Sequence, residues 1–200
     1  MKAWTVAAIL LAMAEPALAH HAMDGATPLT ALQGLIAGLA HPILGLDHFA
    51  AVLAVGGLAA LAGTGLWPLA AYVVLTIAGA ALHAAGWGLP GAEPSVAISV
   101  LLLGALLAAT ALRSAPLAFV LFGATGFIHG YALGESVVGA EPAPLYTYFA
   151  GLAAVQFFIA FAAMCGARWL LLHDRIVTLR LGGAAIAGFA FATLLQTLSS

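Results

Sequence analysis

Apolar positions dominate this chain in long runs: Leu29–Leu61, Trp67–Trp87, Val96–Leu112, Ala115–Val138, Leu145–Leu172 and Ile176–Leu198. The connections between them are short and hold Gly, Pro or the few charged residues. Each run is long enough for a transmembrane helix, with Val96–Leu112 at the short limit. No soluble domain fits between the runs, and no internal repeat stands out. The first run differs from the rest: it is 33 residues long and carries Pro42 and Gly45 inside it. Its opening part, Leu29–Ala40, covers only about 18 Å as helix, too short to cross a hydrocarbon core of about 30 Å. The run is therefore read as one crossing, broken near His41–Pro42, because Pro starts a helix well and disrupts one that reaches it from behind.

Charge placement supports that count. With one crossing assigned to the first run, and the chain starting outside, Arg113, Arg168 and Arg175 fall in the cytoplasm. Arg180 enters the last helix from that same side, and Glu93 and Glu141 fall outside. This obeys the positive-inside rule; two crossings would invert every cation. Six helices with both mature ends outside result. Trp67, Trp87, Tyr146, Tyr148 and Trp169 fall at expected helix ends, as an aromatic belt requires.

Composition narrows the class further. Five Lys or Arg and seven Asp or Glu bring charged residues to 6%, while the apolar set makes up 64%. An ordinary soluble domain carries roughly 25% charged residues, and a short chain cannot hide this much apolar surface from water. Five cations cannot supply the basic stripe of a nucleic-acid binder. One cysteine, Cys165, excludes an intramolecular disulfide framework and a Cys-rich metal cluster. The reading is an all-α, polytopic membrane protein.

The first residues read as a targeting segment. Lys2 gives a positive start, Thr5–Ala14 an apolar stretch, and Ala17-Leu18-Ala19 an A-x-A site. Residues 1–19 are expected to be a cleaved signal peptide, the alternative being an uncleaved first helix. Residues 20–28 form a periplasmic leader beginning His20-His21, and residues 29–200 the six-helix membrane domain. A free amine beside two imidazoles can capture a borderline metal ion; the bland alternative is a short polar leader.

Ionisable side chains at bilayer depth are costly and mark ion paths, relays or paired contacts. His41, Asp47 and His48 lie in the broken first run, His83 in the second, and His129 and Glu135 in the fourth. Imidazoles with two carboxylates suit a first-row divalent metal. The structural alternative is that they bond one another and pin helices together. On a continuous helix His41 and His48 would sit about 10.5 Å apart along the axis, too far to share one ion. Either the break swings His41 back to one site, or there are two stations along a path. In the fourth run Gly126, Gly130 and Gly134 recur every fourth residue, a groove for close approach of another helix. His129 and Glu135 are six apart and do not share a helix face. His83 is open between ligand and packing hydrogen bond. Met164 and Cys165 read as packing, and His173-Asp174 as a solvated loop. No H-E-x-x-H, G-x-S-x-G or Walker loop is present.

At these two clusters the chain resembles the HupE/UreJ family of nickel and cobalt permeases. The family's first motif, H-x5-D-H, is met in full by His41, Asp47 and His48. Its second, roughly F-H-G-x-A-H-G-x-E, is met in part by Ile128 to Glu135, with His129, Gly130, Ala132, Gly134 and Glu135 taken as matches. Ile128 stands for the Phe and Leu133 for the second His, which removes one potential ligand. The resemblance implies a bacterial inner-membrane importer whose metal path is His41, Asp47, His48, His129 and Glu135; His20, His21 and His83 stay as further candidates on residue chemistry alone. The metal, Ni2+ or Co2+, is the transported substrate rather than a permanent cofactor; no enzyme activity and no nucleic-acid partner are expected, and the oligomeric state is left open. Different function classes compatible with the same residues are an intramembrane metal-dependent hydrolase and a proton-gated channel for a small solute.

Overall fold

The computed structural model describes residues 26–199. The expected signal segment, His20 and His21 lie outside the described residues. The described chain forms α1 (Ala31–Leu44), α2 (Leu46–Leu61), α3 (Trp67–Ala84), α4 (Ala92–Ala109), α5 (Ala115–Leu133), a 3-10 turn (Gly134–Val137), α6 (Pro142–Leu172) and α7 (Ile176–Ser199). No strand occurs among the described residues. Five helices are long and apolar enough to cross a membrane, and α1 with α2 makes a sixth span if that bent pair is counted as one.

Local chemistry explains the helix starts. Thr30 and Gln33 form a reciprocal capping box on α1, each side chain accepting from the other's backbone N–H at 3.2 Å. Pro68, Pro116 and Pro142 sit in the first turns of α3, α5 and α6, where the missing N–H has no helical partner to lose. Helix α4 starts at Ala92, four residues ahead of the expected Val96, for the same reason. Pro94 fits its first turn, and Glu93 meets the positive end of the helix dipole.

The break in the first run falls at Gly45 rather than at His41–Pro42. Pro42 stays inside α1, where it costs the helix the amide bond to the Gly38 carbonyl, on the order of 3 kcal/mol in a helix interior. Gly45 ends α1 through Gly45 N–H to His41 O at 3.0 Å, leaves the helical region at ψ 102°, and starts α2 by accepting from Phe49 N–H at 2.8 Å. The two halves meet at 77°. Any residue can adopt φ −75°, so glycine is needed here for room: a Cβ would stand 2.8 Å from His48 Cδ2.

The bent pair follows α6 from end to end. Thr147 Oγ1 donates to Ala31 O at 2.7 Å. Gly38 abuts Tyr148 and Leu152, Gly56 abuts Ala160 and Met164, and Arg168 Nη2 donates to Thr64 O at 2.6 Å. Helices α3 and α5 also run in parallel. A Cβ on Gly126, Gly130 or Gly134 would strike the backbone of Tyr72, Thr76 or Ala80 respectively, so the glycine groove receives α3. Helices α4 and α7 are antiparallel, with Gly104 against Ala187 and Gly183 against Leu107 and Ala108.

These pairings gather the chain's arginines at one end. Arg168 closes α2, and Arg180 Nε donates to Ala108 O at 3.0 Å near the end of α4. Gly57, Leu107 and Leu179 meet just inside that end. The opposite end holds a smaller buried cluster of Ala37, Ala80, Leu133, Val137, Tyr148 and Leu152. Of the expected aromatic belt, Trp67, Trp87, Tyr146 and Trp169 are exposed. Tyr148 is not part of that belt: it is fully buried, because its register on α6 aims it at α1.

Candidate functional site

The elbow between α1 and α2 converts a linear separation into a cluster. His41 sits in the last turn of α1, and Asp47 and His48 in the first turn of α2. The His41 and His48 ring centroids are 6.2 Å apart, edge to face. The bend therefore swings His41 back towards His48. His129 comes from α5, and its ring centroid lies 5.0 Å from that of His48. The three imidazoles form one buried row, with His41 5%, His48 6% and His129 0% exposed. Ser99, seven residues into α4, bonds this row about 10 Å in from the helix start.

Hydroxyl groups surround the imidazole rings and pair with their nitrogens. Tyr148 OH donates to Leu133 O at 2.7 Å, and Ser136 Oγ donates to the same carbonyl at 3.1 Å. With its single proton on that carbonyl, each hydroxyl accepts from His41 Nδ1, at 3.1 and 3.3 Å. That arrangement puts the His41 proton on Nδ1 and the lone pair of the neutral ring on Nε2. Ser99 Oγ likewise donates to Val96 O at 2.7 Å, so it accepts from His129 Nε2 at 2.9 Å. In that arrangement His129 Nδ1 accepts, at 2.8 Å, from His48 Nδ1. His48 also carries its lone pair on Nε2, 3.9 Å from Asp47 Oδ1. Holding Nδ1 by hydrogen bonds so that Nε2 is the basic atom is how metal-binding histidines are oriented.

Asp47 is partly exposed, and its Oδ1 accepts from His48 N–H at 2.8 Å. The start of α2 favours its negative charge, while the last carbonyls of α1, beside His41, favour a cation. Among the described residues, no three His, Cys, Asp or Glu side chains are placed to enclose one ion as they stand. The arrangement places two imidazoles and a carboxylate around an elbow. Both nitrogens of His129 are bonded within the protein.

Two candidates stand apart from the row. His83 stacks on Tyr131 at 4.3 Å, with Nδ1 2.7 Å from Tyr131 O. The Tyr131 hydroxyl in turn ties down the following loop at Trp87 O and Leu89 N. Glu135 is exposed on the 3-10 turn. Counted place by place, the acidic position of the second motif falls on Ser136 and not on Glu135. Successive residues of a 3-10 turn point about 120° apart, so Ser136 turns to His41 while Glu135 turns outward. Leu133 is fully buried against Tyr148 and Ala37.

Ser99, Ser136 and Tyr148 were not among the site residues expected from sequence. A signal for Ser99 existed, a polar residue inside an otherwise apolar run. Ser136 and Tyr148 lay near helix ends, where hydroxyls are common.

Comparison with known proteins agrees with the motifs. A family model described as HupE / UreJ protein matches residues 8–193. Among curated proteins, Protein HupE of Rhizobium leguminosarum bv. viciae is 34% identical over 136 residues, which cover 67% of this chain and 69% of that protein. No solved structure matches. With the family match running over most of its length, the chain belongs to the HupE/UreJ family.

Proposed function

We propose that the chain is an inner-membrane permease that brings a divalent transition metal into the cell, nickel first and cobalt close behind. The family's link to nickel and cobalt transport supports the class. The observation that carries the reading is the elbow itself, where two buried imidazoles and Asp47 are gathered inside an apolar bundle. Broken helices at membrane depth are a recurrent device for ion sites in transporters.

In this reading α1 and α2 form one broken crossing, supported by their parallel course along the full length of α6. Six crossings follow, with the arginine end in the cytoplasm and both mature ends outside. Glu135, with His83 and the leader residues His20 and His21, serves the outer mouth. The ion exchanges waters for His41 and His48, and Asp47 offsets its charge. His129 positions His48 and takes no direct bond in this state. A divalent cation moving inward gains about 4.6 kcal/mol per 100 mV of membrane potential, enough to drive facilitated entry.

The test is accumulation of nickel and cobalt in cells lacking their own importers, each metal competing with the other, together with a C-terminal reporter active only in the cytoplasm. Uptake of both metals and a silent reporter are expected. No uptake, with zinc tightly retained at one ion per purified protein, would move the reading to an intramembrane hydrolase.

A further inference from the structure

Gln156 on α6 and Tyr72 on α3 are both 0% exposed. Neither atom of the Gln156 amide, nor the Tyr72 hydroxyl, has a hydrogen-bond partner among the described residues. Other buried hydroxyls nearby are satisfied locally: Thr76 and Thr125 each donate at 2.9 Å to a carbonyl of their own helix. An unpartnered amide in apolar surroundings is costly, and selection for stability alone favours Leu or Met in its place.

Gln156 lies along the elbow, and Tyr72 lies beside the helix that carries His129. Tyr148, Leu152, Gln156, Ala160 and Met164 are buried at every fourth position of α6. The row meets Gly38 of α1 through Tyr148 and Leu152, and Gly56 of α2 through Ala160 and Met164. Gln156 therefore faces the turn between the two helices, about 12 Å further towards the arginine end than the Tyr148 that holds His41. The Tyr72 backbone abuts Gly126, one turn before His129 on α5 and on its arginine-end side. Tyr72 otherwise packs in the large apolar cluster with Val52, Val55, Leu103 and Phe122.

We propose that Gln156 and Tyr72 are water-holding polar side chains of a second station, which receives the cation's hydration shell as it leaves the histidines. The inference rests on the permease reading above. The amide oxygen and the phenol oxygen accept from waters on the ion, and the amide nitrogen donates to a bridging water. The ion thus regains water before it meets the apolar inner half of the bundle.

The test uses the full-length chain in membranes, with Gln156→Met and Tyr72→Phe, each of which removes the polar group at similar volume. Nickel and cobalt uptake is measured against concentration for wild type, both variants and His48→Ala. Nickel binding to detergent-purified protein and its thermal midpoint are measured in parallel. Expected are a roughly tenfold loss of maximal uptake in Gln156→Met and a smaller loss in Tyr72→Phe, with nickel affinity unchanged and thermal midpoints equal or higher. Wild-type uptake in both variants, while His48→Ala is inactive, overturns the second station and leaves the permease standing. A lower midpoint or lost membrane abundance in Gln156→Met also overturns it, because the amide would then be serving the fold. Absence of uptake by wild type itself overturns the permease reading and the station with it.

Discussion

The bent pair α1–α2 and the single helix α6 follow the same course through the bundle, yet only the pair is interrupted. Helix α6 has its prolines, Pro142 and Pro144, in its first turn and runs unbroken for 31 residues. The pair has Pro42 inside α1 and Gly45 between the halves. The consequences differ in kind. Helix α6 offers a buried stripe at every fourth position and acts as the rail. The break brings a helix C-terminus and a helix N-terminus together beside three ionisable side chains. Composition alone does not make the site, since His41 and His48 on a straight helix would sit about 10.5 Å apart.

The sharpest way to break this comparison is to remove the chemistry and leave the bend. Asp47→Ala and His48→Ala are expected to cut nickel accumulation roughly 100-fold at unchanged membrane abundance, because an uncompensated charge at bilayer depth costs a few kcal/mol. Normal uptake by Asp47→Ala would make the cluster a structural pin. A second test alters the bend and leaves the ligands. Gly45→Ala puts a Cβ 2.8 Å from His48 Cδ2 and 3.3 Å from Asp47 Oδ1, so roughly tenfold lower uptake is expected. Gly166→Ala on α6 meets nothing within 4 Å and should transport like wild type. Equal behaviour of the two variants would remove the special status of the elbow.

Smaller effects probe the supports. Ser99→Ala leaves the His129 Nε2–H without its acceptor and frees His48 to change tautomer. Tyr148→Phe similarly weakens the hold on His41. Each is expected to lower uptake several-fold through the half-saturating concentration, within the range for groups that orient metal ligands. An unchanged nickel concentration dependence in both would show that the hydrogen bonds do not orient the rings. The smallest effect is expected at Leu133, one turn from His129 and buried beside Tyr148. Leu133→His adds an imidazole near His41, so the half-saturating concentration should fall a few-fold, more for nickel than for cobalt, with slower maximal flux. Identical uptake curves for both metals would mean that position 133 does not reach the ion.

Much of this was written in the chain. Long apolar runs with 6% charged residues leave little but a helical membrane protein. Pro42 and Gly45 announced an interruption, although it fell three residues beyond His41–Pro42 because a proline can be carried within a helix when neighbours pack around it. The spacing of Gly126, Gly130 and Gly134 announced a close helix contact, and α3 fills it. His41, Asp47, His48 and His129 were visible because ionisable groups in apolar runs are rare and costly.

What sequence could not decide was which side chains face one another. Local patterns report a residue's cost at membrane depth, and that cost is the same whichever neighbour relieves it. Only the packing of α4 against α5 brings Ser99 to His129, and only the parallel course of α1 along α6 brings Tyr148 to His41. The same packing leaves Glu135 outward while Ser136, one residue on, turns inward. Hydrophobic burial is non-directional and legible from composition, whereas hydrogen bonds and tautomers are directional and are set where helices distant in sequence meet.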